Sequence, residues 1–236
     1  MLVKDWMTTE VITLDENESI LKAAQLLKKY KIRRLPITKN GKLAGIITIS
    51  DINSVAPSKI TPLDVHELYS FFAEIKVKEV MTKNPLTVRP DNTVEYAAII
   101  MLENKISGLP VVNDSNYVVG IITQTDIFKL LIEMSGIYRK PYHLCIGVDK
   151  TEKFLKIFEQ FKQFKTDLHS MFIWEDPREQ KNKVFVFIKI NNENEKKIQE
   201  LINTLKNEFE IIYSLREDLS NIPHKKAQED KDFLLI

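Results

Sequence analysis

The sequence predicts an α+β protein, sandwich-like, built from two tandem β-α-β-β-α repeats and a separate C-terminal β-α-β-β-α-β unit. Three observations lead there. "VKDWMT" at 3–8 returns as "VKEVMT" at 77–82, offset by 74 residues. "GIIT" at 45–48, followed by Asp51-Ile52, returns as "GIIT" at 120–123 with Asp126-Ile127, offset by 75. Beyond residue 140 this echo stops and a new order of apolar patterns begins.

The first copy is assigned to 1–56 and the second to 77–137, joined by a linker helix within 57–76. In each copy a short extended run, "VITL" (11–14) or "LTV" (86–88), precedes a helix. The first helix carries Ile20, Ala23, Ala24 and Leu27 on one face, with Asp15, Asn17 or Ser19 as cap candidates. The second carries Val94, Ala97, Ala98 and Met101 on the matching face, and the small Ala-Ala pairs suit close packing on a sheet. "RRLPIT" and "KLAGIIT" then form a hairpin about Asn40-Gly41, a type I′ signal. The extra residue of copy two falls in its turn, "NDSNY", where insertions are tolerated. Asp51 and Asp126 stand where the last strand gives way to a closing helix. In the linker, Leu63, Val65, Leu68, Tyr69, Phe72 and Ile75 form an apolar stripe after Thr61-Pro62.

The C-terminal unit is assigned to 141–216. "YHLCIGV" reads as a strand, and Asp149 as the cap of a helix with Phe154, Ile157, Phe158, Phe161 and Phe164 along one face, a core stripe. "DLHSMFIW" and "KVFVFIKI" are strands, Ile198, Leu201, Ile202 and Leu205 mark a second helix, and "EIIYSL" is the last strand. That order is ferredoxin-like. The polar tail, 217–236, is expected to lack fixed structure.

Composition narrows the function classes. A net charge of +1 lacks the basic excess of a general nucleic-acid binder. No apolar run reaches the roughly 20 residues that span a bilayer, and "MLVKDWMTTE" lacks a signal peptide's apolar core. The expectation is a cytoplasmic chain with neither nucleic acid nor membrane as partner. Cys145, the only cysteine, cannot form an internal disulfide and is expected buried in its strand. Catalytic signals are missing: His66, His143, His169 and His224 are scattered, without zinc-ligand spacing, and no Gly-x-Ser-x-Gly or phosphate loop occurs.

The repeated threonine and aspartate have two readings. Either residue can cap the helix that follows. Alternatively the carboxylate accepts both hydroxyls of a ribose, while the threonine hydroxyl and helix terminus hold a phosphate or sugar oxygen. The copies differ at "KIRRLPI" and "KISGLPV": Arg33-Arg34 suit bidentate phosphate contact, or form a solvated basic pair, whereas Ser107-Gly108 admit close backbone approach.

In order and repetition these motifs resemble a pair of CBS domains, a Bateman module, over residues 1 to 135. The resemblance implies two symmetry-related clefts for adenosine ligands. Thr48 and Asp51 would hold the ribose in one and Thr123 and Asp126 in the other, with Arg33 and Arg34 on phosphate. Thr13 and Thr87 would border the adenine, with Ile37 and Val111 as apolar walls. The C-terminal unit resembles an ACT domain, and the layout is similar to regulators of the acetoin-utilisation protein B type. Where ACT domains use a glycine to bind amino acids, this chain has Glu152, which favours dimerisation through the sheet.

The expected function is thus a non-catalytic, homodimeric sensor that requires no cofactor and acts on a protein target. Its ligand would be AMP, ADP, ATP or S-adenosylmethionine, and binding would be transmitted to the ACT-like domain. A ligand-free structural module and an amino-acid sensor are the alternatives.

Overall fold

A computed structural model describes residues 1–55, 65–139, 141–149, 154–175, 183–191, 194–220 and 222–223. They form two compact units, Met1–Phe128 and Lys129–His224.

In copy one, β1 (Leu14–Asp15) leads to α1 (Ile20–Lys29), the hairpin β2 (Arg34–Lys39) and β3 (Lys42–Thr48), and α2 (Ile49–Ser54). Ser19 caps α1, accepting from the Lys22 amide at 3.3 Å, while Asp15 holds the preceding turn through the Asn17 amide. The hairpin turn has positive φ at both Asn40 (51°) and Gly41 (78°), as a type I′ turn requires. The linker contributes α3 (Val65–Glu74). Its Phe72 is fully buried against Ala23, Ala24 and Leu27 of α1 and against Leu35, Ile37 and Ile47 of the sheet, whereas Tyr69 is exposed. The proposed linker start at Thr61-Pro62 and Leu63 lies outside the described residues, as do the side chains of Val65 and Leu68.

Copy two repeats the plan. After α4 (Val77–Val80) and β4 (Thr82–Lys83) come α5 (Val94–Glu103), β5 (Gly108–Val112), β6 (Val118–Thr123) and α6 (Gln124–Ser135). Thr93 caps α5 through the Tyr96 amide at 3.1 Å.

The extended runs are shorter than the sequence implied. "VITL" yields only Leu14–Asp15, paired parallel to Ile37 and Thr38, and "LTV" only a single bridge from Val88 to Val111. What closes each sheet is a segment of the other copy. β4, from copy two, pairs with Gly45 and Ile46 of β3, giving the order β1-β2-β3-β4. Thr8, from copy one, makes the corresponding bridge to Ile121 of β6, with N–H···O bonds of 2.9 and 3.0 Å in each direction.

The repeated glycine makes this exchange possible. A Cβ on Gly45 would overlap the Met81 side chain and stand 2.9 Å from the Thr82 carbonyl oxygen, and one on Gly120 would overlap Met7. "MT" and "GIIT" recur together because each copy's methionine lies on the other copy's glycine.

Among the described residues from Tyr142 onward, the second unit forms a four-stranded sheet with two helices. Its elements are β7 (Tyr142–Asp149), α7 (Phe154–Gln163), β8 (Asp167–Glu175), β9 (Lys183–Asn191), α8 (Glu195–Lys206) and β10 (Glu210–Arg216). The order β10-β7-β9-β8, antiparallel throughout, is the ferredoxin-like arrangement. Its core joins Leu144, Ile146 and Val148 to Ile157, Phe161, Leu201 and Leu205. Phe158, expected in that core, is instead 46% exposed, because it lies on the flank of the stripe set by Ile157 and Phe161. Cys145 is buried, and burial pushes its thiol pKa up, away from reactivity. The Asp149 cap, Glu152 and the tail beyond Pro223 lie outside the described side chains or residues.

The crosswise contacts are not equally tolerant. Gly45→Ala should destabilise the chain by about 1–3 kcal/mol in urea unfolding, and by more than Gly120→Ala. At Gly45 the obstacle includes the Thr82 backbone, whereas at Gly120 it is only the flexible Met7 side chain. Equal losses would show that the backbone contact imposes no constraint.

Candidate functional site

The repeated threonine and aspartate first build a cap. The Thr48 amide and hydroxyl both donate to Asp51 Oδ2 at 2.7 Å, and the Asp51 amide approaches Thr48 Oγ1 at 3.4 Å. This is a capping box at the start of α2. Thr123 repeats the carboxylate half of it at α6, donating from its amide at 2.9 Å and its hydroxyl at 2.6 Å to Asp126 Oδ2. The capping role is therefore filled, and filling it fixes each carboxylate. Asp51 Oδ1 accepts nothing among the described residues, which leaves an acceptor of fixed orientation on a residue that lines a cavity.

That cavity has a volume of about 410 Å³ and is lined by both copies, within the range of small-molecule sites, roughly 300–1,000 Å³. Copy one supplies Arg34, Ile46, Thr48 and Asp51. Copy two supplies Thr82 and Asn84–Leu86, and also Lys105–Gly108 with Pro110. The β3–β4 pairing brings Thr82 and the turn after it to the carboxyl end of β3, beside Thr48. Chemically the lining combines one carboxylate, the hydroxyls of Thr48, Thr82 and Ser107, two cations, and the apolar surfaces of Ile46, Pro85, Leu86 and Pro110. Histidine and cysteine are not among these residues.

Arg34 crosses between the copies. Its Nη1 donates to the Ser107 carbonyl oxygen at 2.6 Å and its Nη2 to the Ser107 hydroxyl. Gly108 makes this possible, since a Cβ there would overlap Nη1. Burial first, then neighbouring Arg33, pushes the guanidinium pKa below its ordinary value, while the Asp126 carboxylate opposes them. A guanidinium stays charged at neutral pH even so.

The other residues expected at the site lie elsewhere. Thr123 and Asp126 make the equivalent hydroxyl–carboxylate pair in copy two and do not line this cavity. Arg33 is exposed and outside its lining; Thr13 is exposed and Thr87 half-buried, one residue past Leu86. Ile37 and Val111 are fully enclosed, so Ile46 and Pro110 present the apolar surface instead. Sequence reasoning missed Ile46, Asn84–Leu86 and Lys105. The only signal for them was the repeated "MT", whose partner strand belongs to the other copy. Among the described residues, no cluster of histidine, cysteine or carboxylates could hold a metal, and no helix is long and apolar enough to cross a membrane.

Removing a box should separate the two copies. Asp51→Ala should cost about 1 kcal/mol in urea unfolding, the usual loss for a helix cap. Asp126→Ala should cost more, because Asp126 is the more buried carboxylate and its loss leaves its bonding partners unpaired away from solvent. The reverse order would contradict the burial assignment.

Comparison with known proteins agrees with the geometry. The CBS-domain family model matches residues 3–57 and 77–133. An uncharacterized protein of Methanocaldococcus jannaschii, MJ1426, is 34% identical over an alignment of 158 positions that covers 56% of this chain and 92% of that protein. The L-aspartate semialdehyde sulfurtransferase of the same organism is 41% identical over 131 residues, 55% of this chain but only 23% of the relative's own length. Among solved structures, the CBS-pair protein CBSX2 of Arabidopsis thaliana is 28% identical with a TM-score of 0.51, covering 57% of this chain and 96% of that one. The chain belongs to the CBS-domain family, and its first unit is built around a pair of those domains.

Proposed function

We propose that this protein is a regulatory sensor that holds an adenosine-type ligand in the clefts of its CBS pair and signals occupancy through its C-terminal unit. The observation that carries the reading is the composite cavity: a carboxylate oriented by its own capping box, beside two cations and the apolar surfaces of Ile46, Pro85, Leu86 and Pro110. Asp51 and Thr48 hold the ribose there, and Asp126 and Thr123 do so in the equivalent cleft. Arg34 meets a phosphate where the ligand has one, and the turns around Thr13 and Thr87 border the adenine. AMP, ADP, ATP and S-adenosylmethionine share the adenosine part that this arrangement recognises. The sulfurtransferase activity of the longer relative is not carried over, since the match spans under a quarter of it.

Transmission follows from composite walls. A ligand that touches both copies favours one packing of their sheets, by as much as it binds that packing better. The C-terminal unit is the receiver, and its ferredoxin-like order suits an ACT-like domain. Two apolar surfaces support a homodimer. Phe172, Trp174, Tyr213 and Leu215 are exposed on the sheet face opposite the helices. On α5, Tyr96, Ile99 and Leu102 are exposed where copy one has Lys22, Gln25 and Lys28.

Thermal unfolding and titration calorimetry with the four adenosine compounds and a panel of amino acids test this. A ligand at 100 times its Kd should add about 2.7 kcal/mol, a rise of roughly 5–10 °C, and Asp51→Ala or Asp126→Ala should abolish it. A response to amino acids alone would make the C-terminal unit the receptor. No response to any compound would leave both carboxylates as caps in a structural module.

A further inference from the structure

Residues 34 and 108 occupy the same position in the two repeats. Each is the first residue of its hairpin and pairs with the motif threonine: Arg34 with Thr48, Gly108 with Thr123. Where the copies meet, these two positions face each other. There is room for one side chain, because a Cβ on Gly108 would overlap Arg34 Nη1 and stand 3.1 Å from the Ile122 carbonyl oxygen.

The guanidinium at this junction is held by neutral acceptors only, the carbonyl and hydroxyl of Ser107. It makes no ion pair among the described residues, so its charge is available to an incoming anion. It lines the Asp51 cavity and lies over the residue paired with Thr123, whose hydroxyl binds Asp126. The electrostatic influence of Asp126 on Arg34 agrees with that placement. The other cations nearby are less committed: Arg33 and Lys105 are both exposed, where solvent and salt screen them.

We infer that Arg34 is the one phosphate-selecting residue for both clefts, so that the pair takes a single phosphorylated ligand at a time. Once that phosphate neutralises the guanidinium, a second would meet its repulsion without compensation. The remaining cleft then accepts an adenosine compound that lacks a phosphate. This rests on the reading that the clefts hold adenosine ligands.

Titration calorimetry on the full chain, with AMP and adenosine as probes, separates the two claims. The expected result is one AMP per chain, after which adenosine but not further AMP gives a second binding event. Arg34→Gln should lower the ratio of AMP to adenosine affinity about tenfold or more, and Arg34→Lys, which keeps the charge, should lower it less. Two AMP per chain of similar affinity would overturn the inference. So would an Arg34→Gln protein that weakens on both ligands equally, the mark of a structural role. Wild type that binds neither probe would overturn this inference; the sensor reading fails with it only if ADP, ATP and S-adenosylmethionine are silent as well.

Discussion

Each copy of the repeat completes its sheet with a methionine–threonine segment taken from the other, and the rest of the first unit depends on that exchange. Met81 lies on Gly45 and Met7 on Gly120, close enough that a Cβ at either glycine would overlap the methionine. Neither half therefore has a finished edge or a finished core alone. The same crossing draws Thr82 and the turn that follows to the end of β3, where Thr48 and Asp51 begin α2. Without it the carboxylate would cap a helix and face open solvent. With it, the carboxylate faces a cavity with walls from two copies.

Capping and recognition are complementary here. A helix start needs acceptors for its free amides, and the box supplies them in a fixed geometry. Both bonds from Thr48 fall on one carboxylate oxygen, leaving the other with a set direction. An acceptor already oriented loses little freedom when a ligand arrives, and this is what preorganisation contributes to affinity. The repeat then diverges where charge matters. Arg34 stands in one copy and glycine in the other, and the arginine fills the space the glycine leaves.

Much of this was legible in the residues. The duplication, its helices, the Asn40-Gly41 turn and the ferredoxin-like order of the C-terminal unit follow from apolar spacing and turn chemistry, which are local. The exchange of segments was not, because Met81 and Gly45 are far apart in sequence and nothing in either string names the other as its neighbour. For the same reason the sequence does not point to Asn84–Leu86 and Lys105, and the family resemblance gives Ile37 and Val111 to a cleft that their burial keeps them from lining. Periodicity marks a strand residue as apolar but does not say which apolar residue meets a ligand and which meets the core. Phe158 shows the same limit in the second unit.

Amide hydrogen exchange on the full chain, with and without saturating AMP, tests the composite cleft most directly. The account predicts that protection rises together at the start of α2, around Thr48 to Ile52, and in copy two at Thr82 to Leu86 and Lys105 to Gly108. Protection confined to one copy would contradict it.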